Sequence, residues 1–246
     1  MNRLRQALFD QYDQHYLRGN ALRKETVNAA EYERHMANYE CEFASVLKRA
    51  PQDAPIVDIG CGMGFLLYWL SRTRSQQFSL VGVEFSEAQL AFARENLPPN
   101  VEIVKNSGTA YLRDHPGRFS IVFCTDVLEH LENDDELLEM LETSRAALLP
   151  GGLFVCRVPN MANLAGPQLR YIDITHTRGF TSSSLLQLLE GVGFSKVWIE
   201  PRRAEDTSQW LRMRIEHWLH FVVFRICGVA TESHFGRTIS AVGQVE

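Results

Sequence analysis

The sequence predicts a doubly wound α/β fold with a mostly parallel sheet, and three observations carry that expectation. Between about residues 51 and 200, short apolar segments alternate with helical runs, the pattern of a parallel sheet covered by helices. Segments such as 121–124 are apolar throughout, as expected of a strand covered on both faces. A glycine-rich loop follows the first of these segments, at the end of the sheet where such folds bind ligands. The 246 residues are 45% hydrophobic and 22% charged. That balance suits one large domain able to bury its core without disulfides.

Each element has its own reason. Residues 1–50 are expected to form a helical cap; from 29 to 49 there is no Pro or Gly, and Tyr32, Met36, Tyr39, Phe43, Val46 and Leu47 recur at helical spacing. Pro51 and Pro55 then punctuate the chain. In the core, 51–200, strands are expected at Ile56–Ile59, Leu80–Glu84, 102–104, 121–124, 153–158 and Lys196–Glu200. Helices are expected at 65–72, at 86–96 with Ser86 as N-cap, at 134–149 with Pro150-Gly151-Gly152 as its stop, and at 183–190 under a Thr181 cap. Beyond 200, residues 207–227 carry Leu211, Ile215, Trp218, Val222 and Ile226 on one helical stripe, widened by Phe221 and Phe224. The tail 237–245 has strand character and is expected to return to the sheet edge as an antiparallel strand.

Composition excludes several classes of function. Asp and Glu number 30 against 25 Lys and Arg, a net charge of -5. Nucleic acid is therefore not expected as a partner, because phosphate binding needs a basic face. The cysteines, Cys41, Cys61, Cys124, Cys156 and Cys227, are odd in number and dispersed. That is neither a disulfide framework nor a zinc motif, and a reducing cytoplasm fits best. The N-terminal stretch lacks the apolar run of a signal peptide, and the late apolar run near Trp218 is too short to span a bilayer.

The strongest local signal is Asp58-Ile59-Gly60-Cys61-Gly62-Met63-Gly64. Glycines here permit positive φ and let backbone N–H groups approach a ligand. The second strand ends in Glu84, 24 residues after Gly60, where an acid can accept hydrogen bonds from ribose hydroxyls. The spacing is GxGxG rather than the dinucleotide pattern GxGxxG. Asp58 would repel a pyrophosphate and attract a sulfonium ligand bearing an ammonium group.

VDIGCGMGF, VGVEFSEAQL, FSIVFCTDVLEHL and ALLPGG, in that order, resemble the successive motifs of class I S-adenosylmethionine-dependent methyltransferases, which have a Rossmann-like fold. The resemblance covers about residues 50–200. It implies S-adenosylmethionine as cofactor, with Asp58, Gly60, Cys61, Gly62 and Gly64 around its methionine part and Thr125 nearby. It also implies Glu84 at the ribose and Phe85 against the adenine. The acid that the family often carries after the third strand is absent from Asn106-Ser107-Gly108, so Ser107 or backbone is expected to read the adenine.

Catalytic candidates lie on the acceptor side. Asp126, Glu129 and His130 follow the fourth strand, and His176 lies in the long connection after the fifth. An alcohol becomes a good nucleophile when a base or a metal removes its proton. A metal-free base, His130 or His176, is expected beside Asp126; a divalent metal held by Asp126, Glu129, His130 and His176 is the alternative. The 170–181 segment resembles methyltransferases of bacterial surface-polysaccharide clusters, which implies a glycan hydroxyl as acceptor. Asp-x-x-Glu-His resembles metal-assisted O-methyltransferases acting on small phenolic acceptors. A non-catalytic cofactor-binding partner protein is the third reading. Arg170 and Arg178 could hold an anionic group on the acceptor or bridge surface carboxylates. The stripe on 207–227, accompanied by Arg212, Arg214 and Arg225, suggests packing or a homodimer first and peripheral contact with the inner membrane face second.

Overall fold

The computed structural model describes Leu8 and residues 29–52, 54–74, 79–229 and 232–246. The expected cap over 1–50 therefore lies partly outside the described residues. Its described part is one helix, α1 (Ala29–Leu47).

The core then alternates as β1 (Ile56–Ile59), α2 (Phe65–Arg74), β2 (Leu80–Glu84), α3 (Glu87–Asn96), β3 (Val101–Lys105), α4 (Gly108–Arg113) and β4 (Phe119–Thr125). A single 3-10 turn (Leu128–His130) leads to α5 (Asp134–Ala147), β5 (Leu148–Pro159), α6 (Gly166–Tyr171), α7 (Ser182–Val192) and β6 (Lys196–Glu200). The chain ends in α8 (Thr207–Ile226) and β7 (Thr238–Gln244). The seven strands form one sheet in the order β3-β2-β1-β4-β5-β7-β6, parallel except for β7. The doubly wound expectation holds.

Alternate residues of each strand feed two cores. Val57, Ile59, Val81, Val83 and Phe154 face α4, α5 and α7 through Leu112, Leu141 and Leu185. Ile56, Ile121, Phe123 and Val155 face α1 and α2 through Phe43, Leu47, Leu67 and Trp69. Burying each such side chain contributes about 1.5–3 kcal/mol. Strand β1 lies between β2 and β4, where the winding reverses, so a crevice opens beyond its C-terminal end.

The structure corrects the sequence at several elements. Strand β7 does not lie at the edge; it is inserted between β5 and β6, and β6 is the edge. It carries no charge and is buried from Ile239 to Gly243. Gly243 sits under the Phe194 ring, whose Cγ is 2.6 Å from where a Cβ would stand. Helix α5 stops at Ala147, because Leu148 pairs with Phe119 and the Pro-Gly-Gly run is absorbed within β5. Ser86 occupies the N-cap position of α3 without a side-chain cap. Thr181 does cap α7, in a reciprocal box with Ser184. Helices α4 and α6 were not expected.

Helix α8 departs furthest from expectation. Leu211, Ile215, Trp218, Phe221 and Ile226 are exposed. The face that docks is the opposite one. There His220 accepts a hydrogen bond from the Leu164 N–H at 2.8 Å and stacks on Phe235, and Glu216 accepts one from Asn163 at 2.9 Å. No helix among the described residues is long and apolar enough to cross a membrane.

Candidate active site

Two cavities adjoin at the end of β1. The larger, about 710 Å³, is lined by Ile59, Gly60, Val83, Glu84, Phe85, Ser107, Asp126, His130 and Met140, among others. The smaller, about 160 Å³, is lined by His35, Tyr39, Asp58, Gly60, Cys61, Gly62, Thr125 and Arg157, among others. Gly60, Gln89 and Asp126 border both. The expected cofactor residues thus collect around one continuous crevice, except Gly64, which lines neither cavity and packs toward Leu97 and Ala93.

Backbone conformation builds its floor. Gly60, Gly62 and Gly64 have φ of 70°, 54° and 83°, values that side chains resist. A Cβ on Gly62 would stand 2.8 Å from Gln89 Oε1, and one on Gly60 would stand 2.5 Å from Val127 Cγ2. Asp58 ends buried beneath the loop, and its Oδ1 has no hydrogen-bond partner. Burial pushes its carboxyl well above the usual carboxylate range, and the charges of Glu84 and Asp126 add to this. Such an oxygen suits an ammonium group. Glu84 accepts from the Phe85 and Ser86 N–H groups at 2.8 Å and from Gly62 N–H at 3.2 Å. Burial still leaves its carboxyl above the ordinary value.

Ser107 lines the larger cavity, but its hydroxyl is the N-cap of α4, accepting from Ala110 N–H at 3.3 Å. That helix was missed in the sequence, and it narrows Ser107's freedom to read a base. Helix α1 contributes what sequence spacing did not signal, His35 at the smaller cavity. Burial holds the His35 imidazole down to about 4, aided by Arg34 and Arg157, so the ring is neutral near pH 7. Arg157, also missed, projects from β5 with its side chain 16% exposed. It reaches Glu42 at 3.4 Å and grips Asp126 through Nε at 3.2 Å and through Nη2.

That grip bears on the catalytic candidates. Asp126 has φ of 57°, the one described non-glycine residue on the positive side, and its carboxylate is committed to Arg157. The four-ligand set Asp126, Glu129, His130 and His176 is therefore not assembled. The groups that do converge are Glu129, His130 and His176, whose ligand atoms lie within 4.8 Å of one another. Glu129 is buried, its Oε2 has no hydrogen-bond partner, and burial beside Asp126 pushes its carboxyl well up. The His130 and His176 rings meet edge to face at 4.7 Å. His130 stands on the wall of the larger cavity; His176 lines neither cavity. Arg178 pairs with Asp134 at 2.9 Å, and Arg170 lies over Tyr171.

Comparison with known proteins gives the family and the fold. Residues 32–198 match the model of a family described as a methyltransferase domain. A ubiquinone biosynthesis O-methyltransferase of Shewanella pealeana is 30% identical over 87 residues, 34% of this chain and 36% of that protein. A trans-aconitate 2-methyltransferase of Variovorax paradoxus is 30% identical over 135 residues, 54% of this chain and 50% of that protein. The chain thus spans between a third and a half of the length of these curated relatives. Among solved structures, an S-adenosylmethionine-dependent methyltransferase from Archaeoglobus fulgidus superposes with a TM-score of 0.64 at 21% identity, covering 87% of this chain and 94% of that one. A plantazolicin methyltransferase in complex with a pentazolic desmethylPZN analog and SAH does so at 0.62 and 17% identity, covering 99% and 95%.

Proposed function

The chain belongs to this methyltransferase family and uses S-adenosylmethionine, and from that premise we propose that it methylates an oxygen of a small-molecule acceptor, with His130 taking the acceptor's proton. The observation that carries the proposal is the place of His130, on the wall of the cavity that Glu84 and Phe85 also line. When bound, S-adenosylmethionine supplies a methyl group on a positively charged sulfur, open to in-line attack by a nucleophile. Asp58 would meet the cofactor's ammonium group with its partnerless oxygen, and Glu84 would accept from the ribose hydroxyls. Gly60 and Gly62 keep the floor clear, while Cys61 and Thr125 wall the smaller cavity. Phe85, 39% exposed, offers a ring face for the adenine. Asp126, neutralised by Arg157, shapes the junction of the two cavities and is not the base.

The names of the relatives support a small-molecule acceptor; none of them supports the surface glycan implied by the 170–181 segment. A second reading is favoured by the convergence of Glu129, His130 and His176. A carboxylate oxygen and two imidazoles suit a divalent cation, which would activate the acceptor in place of a free base.

One assay separates these readings. Purified protein is given labelled S-adenosylmethionine with a panel of catechols, small carboxylic acids and glycan precursors. The expected result is methyl transfer to a small-molecule acceptor, insensitive to chelator, and reduced about 10²–10⁴-fold in His130→Ala. Loss of turnover with chelator and recovery with Mg²⁺ or Mn²⁺ would replace the free base by the cation. Transfer to the glycan precursor alone would overturn the acceptor class.

A further inference from the structure

His130 is joined to a segment 45 residues away by a chain of hydrogen bonds whose direction can be worked out. Its Nδ1 lies 2.8 Å from Thr175 Oγ1. Thr175 Oγ1 in turn lies 2.7 Å from Asp173 Oδ1, which also accepts from Thr175 N–H at 2.8 Å. A hydroxyl has one proton to give and an ionised carboxylate can only accept. The Thr175 proton therefore points to Asp173, and Thr175 Oγ1 receives a proton from His130 Nδ1.

We infer that Asp173 and Thr175 are positioning residues that hold His130 as the Nδ1–H tautomer, leaving Nε2 as its basic nitrogen. The inference deepens the proposed function and rests on the reading of His130 as the group that handles the acceptor's proton. A neutral imidazole can accept a proton at one nitrogen only, so an unfixed ring would spend part of its time in the wrong tautomer.

Four further contacts agree. His176 Nδ1 lies 3.1 Å from the Leu169 carbonyl oxygen; a carbonyl cannot donate, so this ring too is fixed with Nε2 as its basic nitrogen. Thr177 N–H donates to the Glu129 carbonyl at 2.7 Å, and its hydroxyl reaches the Glu129 and Leu131 carbonyls. The connection after α6 is thereby docked on the 3-10 turn that carries His130. Asp173 is buried, 8% exposed. Despite that burial its carboxyl stays below the ordinary value, held there first by the hydrogen bonds it accepts from the Thr175 hydroxyl and N–H. An ionised Asp173 is what the chain requires.

The test reads the tautomer directly. Protein with nitrogen-15 in its histidines is studied by long-range proton–nitrogen correlation in alkaline buffer, where imidazoles are neutral; His130→Gln identifies the His130 signals. The unaltered protein should show a protonated Nδ1 and an unprotonated Nε2 at His130. Thr175→Val, which keeps shape but cannot accept, should show the opposite tautomer or a mixture. Thr175→Ser should restore the original pattern. In turnover, Thr175→Val should lose about 10–100-fold in kcat, with cofactor affinity and the acceptor's KM unchanged and with rescue by Ser. Thr175→Ala serves as a second variant if Val disturbs folding. An unchanged tautomer and full turnover in Thr175→Val would overturn the inference. So would a fall in cofactor affinity that matches the fall in rate, which is the mark of a merely structural loop contact. Full turnover in His130→Gln would instead remove the proposed role of His130, a separate failure.

Discussion

On the proposed cofactor side of the crevice Gly60 and Gly62 leave only backbone, whereas the proposed acceptor side is made of side chains that meet across long stretches of chain. On the first side, five consecutive residues set the conformation, and Asp58 and Glu84 arrive from the ends of adjacent parallel strands. On the second, His130 is held by Thr175, and Glu129 and Leu131 by Thr177. The first construction needs space and unusual φ; the second needs particular donors and acceptors. Changes should therefore damage the first side through ligand affinity and the second through turnover.

The largest expected effect comes from filling the cradle. Gly62→Val should lower S-adenosylmethionine affinity by at least about 100-fold, because the branched group stands in the space proposed for the ligand; the strain of positive φ, of order 1–3 kcal/mol for a side chain, lowers stability instead. Gly117 gives the control: its φ is 60°, but nothing lies within 4 Å of its Cβ position. Gly117→Val should lose comparable stability in thermal unfolding and keep full affinity. Equal loss of affinity in both variants would break the contrast between space and strain.

A smaller effect is expected at Glu84. Glu84→Ala removes a charged acceptor and should cost about 1–3 kcal/mol of cofactor affinity. In the same calorimetric titration His176→Ala should bind normally. If the two variants lose affinity together, the crevice does not divide into two sides.

The smallest effect is the pH dependence of binding. Burial raises the Asp58 and Glu84 carboxyls, so without ligand they retain protons above the usual carboxylate range. A cationic ligand favours their ionised forms, so binding should release protons. Affinity should climb as pH rises through the raised values and level off above them. For the ligand-free fold the sign is reversed: a raised carboxyl stabilises below its unfolded value, and that contribution disappears as pH rises through the folded one. The increase in Tm on adding cofactor should therefore grow with pH. Calorimetry in two buffers of different ionisation enthalpy should show proton release; uptake would contradict the placement of Asp58 under the ammonium group.

Much of this architecture was legible residue by residue. Lys196–Glu200 and Ile56–Ile59 form strands where short β-branched and aromatic segments between helical runs place them, and Thr181 caps a helix because Ser184 stands three residues on. Those signals act over a few residues, so spacing reports them. Helices α4 and α6 escaped notice because six-residue helices are too short to show a period. Arg157 and His35 escaped because nothing in their neighbours announces a partner. Arg157 meets Glu42, 115 residues away.

The sequence by itself determined the alternating fold, the glycine cradle and the acids at the ends of β1 and β2, since local φ preferences and strand-end positions need no distant partner. Tertiary structure alone decided the rest. It inserted β7 into the sheet, because an uncharged strand with Gly243 beneath Phe194 is stable when covered on both sides. It turned the apolar stripe of α8 outward, because the opposite face carries the polar groups that bond the 160–166 connection. It also tied Asp126 to Arg157, although Glu129 and His130 stand only three and four residues further along the chain. An arginine from β5 pairs with that carboxylate, and no spacing rule within the segment can register a charge brought in by the neighbouring strand.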